Sequence, residues 1–89
     1  MSKVDQCPDP VTNGVACSII TSPEATYRVE TARYHEIFRF RSDRETGYIT
    51  RTSNPDDTTG MILSDTIDEA QRAHAHTVTA ICSMLDKNL

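Results

Sequence analysis

One phrase occurs twice in this chain: Asp43-Arg44-Glu45-Thr46-Gly47 and, thirteen positions later, Asp56-Asp57-Thr58-Thr59-Gly60, each followed by two apolar residues. Asp and Thr side chains hydrogen-bond loop backbone, and Gly takes the positive φ that lets an antiparallel strand leave a tight turn. Two such turns at this spacing predict a meander of short antiparallel strands.

The segments around the phrase agree. Val15-Ala16-Cys17-Ser18-Ile19-Ile20 is an apolar run bounded by turn residues and reads as a strand. Residues 26 to 32 alternate Tyr27, Val29 and Thr31 with Arg28 and Glu30, a strand period in strand-favouring residues. The competing reading there is a helix over 23–35 opened by Ser22-Pro23-Glu24. Residues 37 to 41 alternate again and pair across the first turn with Tyr48–Thr52. That pairing sets Phe38, Phe40 and Ile49 on a core face and Arg39, Arg41, Tyr48 and Thr50 on a solvent face. A brief strand at Met61-Ile62-Leu63 follows the second turn.

Ser64, Asp65 and Thr66 then offer caps, Thr66-x-x-Glu69 fits a capping box, and a helix is expected over about 65–87. Its acids lie at the positive end and Lys87 at the negative end. Ile67, Ala70, His74, Val78, Ile81, Cys82 and Leu85 form its apolar stripe, which Ala73, Thr77, Ala80 and Met84 widen to roughly 200°. One sheet face does not need so wide an arc. A homodimer is therefore expected, packed through Ala73, His74, Thr77, Ala80, Ile81 and Met84 around a two-fold axis; cover from the N-terminal segment is the alternative.

The expected fold class is α+β: an antiparallel meander of four to five short strands with one long C-terminal α-helix on one face. Residues 1–14 read as an extended or mobile lead-in and 15–89 as a single domain. No apolar run resembles a signal peptide or a membrane span, which gives a cytoplasmic expectation. In that compartment Cys7, Cys17 and Cys82 are expected as free thiols, with Cys7–Cys17 the one bridge considered.

The net charge of −4 is unevenly spread. Residues 28–51 hold six arginines against four acids, and the remainder holds nine acids against three basic residues. Arg39, Arg41, Arg44, Tyr48 and Arg51 form the candidate partner-binding surface. A larger protein is the expected partner, met through an acidic surface; nucleic acid, bound by the same arginine ribbon, is less favoured because the acidic remainder repels phosphate. The alternative to both is a solvated strand face whose arginines and acids pair locally.

Catalytic, metal and cofactor motifs are not in evidence. His74 and His76 point about 200° apart on a helix and cannot share an ion. Cys7, Cys17, His35 and His74 lack ligand spacing, and Gly14, Gly47 and Gly60 are all accounted for by turns. The expectation is a small non-enzymatic protein-interaction module: a homodimeric inhibitor, adaptor or accessory regulator that binds a larger protein.

Overall fold

The computed structural model describes residues 2–9, 14–37 and 47–87. Its elements run β1 (Lys3–Gln6), β2 (Ala16–Thr21), β3 (Thr26–Arg33), α1 (Tyr34–Ile37), β4 (Tyr48–Ser53), β5 (Thr59–Ser64) and α2 (Ile67–Lys87). The strands form one antiparallel sheet in chain order. The long helix lies on it, giving the α+β meander expected.

Local chemistry accounts for the joints. Between β2 and β3, Ser22 Oγ accepts from the amides of Ala25 (3.1 Å) and Glu24 (3.3 Å). Ser22-Pro23 therefore opens a tight turn rather than a helix, and the strand reading of residues 26–32 holds. Between β4 and β5, Asp56 Oδ1 accepts from the Thr58 hydroxyl at 2.6 Å, and the Asn54 amide donates to Thr58 O. The positive φ expected of Gly60 belongs to Asp57 (67°), and Gly60 lies in β5 opposite Thr52. Gly47 does take a positive φ (102°).

Helix α2 begins at a cap: Thr66 Oγ1 accepts from the Glu69 amide at 3.2 Å. The Glu69 carboxylate returns to the amide of Asp65 (3.3 Å), one residue ahead of the standard box partner. The helix crosses the sheet diagonally, touching β2, β3, β4 and β5. This orientation lets about 32 Å of helix rest on a sheet of short strands. At its far end Asp86 accepts from the Ser2 amide (3.1 Å), tying the start of the chain to the helix C-terminus.

Under the helix, Ile20, Val29 and Ile81 form the buried core, with Tyr27, Val78, Cys82 and Leu85 against it. The strand phase differs from the one expected. Both edges of β4 are occupied, by β3 and β5, and of residues 37–41, expected to pair with it, all but Ile37 lie outside the described residues. Thr50, expected in water, sits opposite Thr31 and is buried beneath α2. Ile49 alternates with Thr50 and faces away from α2, opposite Ala32, and both are buried. Phe38 and Phe40 lie outside the described residues.

The cysteine expectation is also overturned. Cys7 and Cys17 are disulfide-bonded, Cα atoms 5.4 Å apart, and Cys82 is free. The pairing of Gln6 with Ser18 brings the two cysteines opposite each other at the end of the β1–β2 ladder. Local pattern hid this because Lys3-Val4-Asp5-Gln6 carries one apolar residue and no alternation. Thiol titration of the denatured, unreduced protein is expected to count one thiol; three would contradict the bridge.

Candidate interaction surface

Three regions of the sheet and helix carry the groups that could serve a site. The first is polar and internal. His74 Nε2 lies 2.9 Å from Ser18 Oγ, and Nδ1 lies 2.9 Å from Thr31 Oγ1, which is 2.8 Å from Thr50 Oγ1. Burial holds the imidazole pKa below its usual value. A serine on one nitrogen superficially matches a nucleophile–base pair. The other nitrogen, however, ends on a pair of threonine hydroxyls, which supply no charge to stabilise the imidazolium that catalysis would form. The arrangement instead joins α2 to β2, β3 and β4 through satisfied hydrogen bonds.

The second region is on the opposite face. Glu30, only 5 % exposed, accepts from Arg28 Nε (3.0 Å) and Arg51 Nη2 (3.2 Å) on the same carboxylate oxygen. Arg28 also donates to the Asp9 carboxylate (2.8 Å) and carbonyl (3.1 Å). That hydrogen bond and the guanidinium charge hold the Asp9 carboxyl below the usual carboxylate range, and the same partners raise Arg28. The arginines are drawn inward by the chain's own acids.

This arrangement changes the expected partner surface. Arg39, Arg41 and Arg44 lie outside the described residues. Tyr48 and Arg51 are an odd number of residues apart on one strand and so point to opposite faces, Tyr48 with the helix and Arg51 with Glu30. Of the six residues expected at a helix-to-helix interface, His74 and Ile81 are buried against the sheet of their own chain. Ala73 and Thr77 are half-buried, with the Thr77 hydroxyl returned to the Ala73 carbonyl (2.7 Å). Ala80 and Met84 are exposed.

The third region is the edge strand β5. Met61, Ile62 and Leu63 are 55, 44 and 53 % exposed, three consecutive large apolar residues on a strand whose outer side pairs with no described strand. Ile62 points to the helix side and Met61 and Leu63 to the other, following their partners Thr50, Arg51 and Ile49. A six-residue edge without a charged side chain is a template for another strand. Local pattern gave no sign of this, because a short apolar run between turns reads as a buried strand.

Compared with protein-family models, curated proteins and solved structures, the chain matches none. No helix among the described residues is long and apolar enough to cross a membrane.

Proposed function

We propose that this protein is a non-enzymatic protein-interaction module that acts as an inhibitor, adaptor or accessory regulator by binding other protein surfaces through the β5 edge. The carrying observation is the exposure of Met61, Ile62 and Leu63 on an uncharged outer strand. Strand addition at such an edge draws affinity from main-chain hydrogen bonds and specificity from alternate side chains. The arginine-ribbon reading toward nucleic acid gains nothing from Arg51, whose charge is met by Glu30. The Cys7–Cys17 bridge favours an oxidising setting over the cytoplasmic one.

The test is affinity capture from the native cell with dilute tagged protein. A bound protein should be lost with Ile62→Lys and kept with Glu24→Lys, an exposed change in the β2–β3 turn. Capture indifferent to Ile62→Lys would remove β5 from the contact.

A further inference from the structure

We infer that the β5 edge pairs with the β5 edge of a second copy, antiparallel about a two-fold axis through Ile62, to form a continuous ten-stranded sheet. This rests on the reading of β5 as the contact edge and names its partner.

The symmetry and the sequence of the strand select the register. A two-fold axis normal to the sheet reverses strand direction and keeps each face on its own side, so opposed residues must come from the same face. Of the central positions this allows, three use the apolar triplet. Centred on Met61, the pairing leaves Ile62 on Gly60 and Leu63 on Thr59. Centred on Leu63, it sets Met61 against Asp65. Centred on Ile62, it sets Ile62 on Ile62 on the helix side and Met61 on Leu63, twice, on the other. The remaining pair, Gly60 on Ser64, is uncharged, as is the whole of β5. Of the three, this register alone matches every exposed apolar residue of β5 with an apolar partner, and the uncharged strand lets two copies of a chain of net charge −4 meet there.

Both copies of α2 fall on the same side of the joined sheet, because each lies on the face that carries Ile62. The dimer contact thus moves from the helix, where the apolar arc suggested it, to the sheet edge. One strand pair is smaller than the roughly 1,200–2,000 Å² of a standard interface, so the association is reversible and concentration-dependent.

Sedimentation equilibrium of the full chain should show a mass rising from 9.9 kDa toward twice that value as concentration increases from low micromolar to near millimolar. Ile62→Lys, which sets two like charges face to face, should weaken the dimer by at least about tenfold while the far-ultraviolet circular dichroism of the folded monomer is retained. The register has its own test. Met61→Lys with Leu63→Glu places opposite charges across the axis and should retain the dimer, whereas Met61→Lys with Leu63→Lys should abolish it. A monomer at every concentration, or a dimer indifferent to Ile62→Lys, overturns the inference. If the protein is monomeric while capture of another protein still depends on Ile62, the self-pairing alone has failed and the contact-edge reading stands.

Discussion

Replacing His74 by Ala is expected to lower stability by about 3 kcal/mol. The imidazole is buried and bridges Ser18 of β2 to Thr31 of β3. Its removal leaves one side of the buried Thr31 hydroxyl unpaired, at roughly 1–3 kcal/mol, frees the half-buried Ser18 hydroxyl at less, and opens a cavity under the middle of α2. An 89-residue domain has only roughly 4–13 kcal/mol in total. The thermal midpoint should therefore fall by roughly 15 °C. A fall of only a few degrees in calorimetry would show that the network is dispensable.

The same residue sets a pH dependence whose sign follows from its burial. The folded-state pKa of His74 lies below its usual value. The unfolded chain, with an imidazole near pH 6.5, therefore takes up the proton first. Stability from this group is full above about pH 6.5 and declines as pH falls through that value toward the lower, folded pKa. The groups facing the ring, Ser18, Thr31 and Thr50, are uncharged and do not offset the imidazolium. Asp9 and Asp56, both lowered by hydrogen bonds from Arg28 and Thr58 respectively, act in a separate window: their contributions are present above about pH 4 and are lost below it. Denaturant midpoints between neutrality and pH 5 should thus fall in the wild type and stay flat in His74→Gln. Parallel slopes in the two proteins would assign the dependence elsewhere.

The parts of this fold legible in sequence are those decided within a few residues. The cap at Thr66, the turns at Ser22 and Asp56, the alternation of Tyr27, Val29 and Thr31, and the helical stripe each carry their own local signal. What depended on pairing over distance was not legible. The phase of β4 depends on which strands flank it. Once β3 and β5 take both sides, Thr50 turns inward to meet Thr31, nineteen residues away, and Ile49 turns to the other face. The partners of His74 stand 56 and 43 residues away, so its stripe position identified a buried histidine without identifying Ser18 or Thr31. Of the arginines in the expected partner surface only Arg51 lies among the described residues, and its own partner was hidden for the same reason. Arg51 looked free on its strand, but the register of β3 against β4 places Glu30 directly beside it.

That last pairing carries the second large effect. Glu30→Ala is expected to cost about 3 kcal/mol, and Glu30→Gln about 2 kcal/mol, because each leaves two guanidinium groups without the carboxylate that draws them onto the sheet. These figures sit at or below the roughly 3–5 kcal/mol of a fully buried pair, since Arg28 and Arg51 side chains retain 28 and 34 % exposure and can turn partly to water. Arg51 has less freedom than its exposure suggests. Its Nε is buried and has no hydrogen-bond partner among the described residues, so Glu30 is the acceptor that offsets its desolvation. A double-mutant cycle isolates the coupling: Arg51→Met should lose much of its own cost when Glu30 is already Gln, because the charge and its partner leave together. Asp9→Asn is the contrasting case, an exposed pair expected to move the thermal midpoint little. Additive effects of Glu30→Gln and Arg51→Met would show that the two side chains are neighbours without energetic coupling, and the buried carboxylate would then have to be held by Arg28 alone.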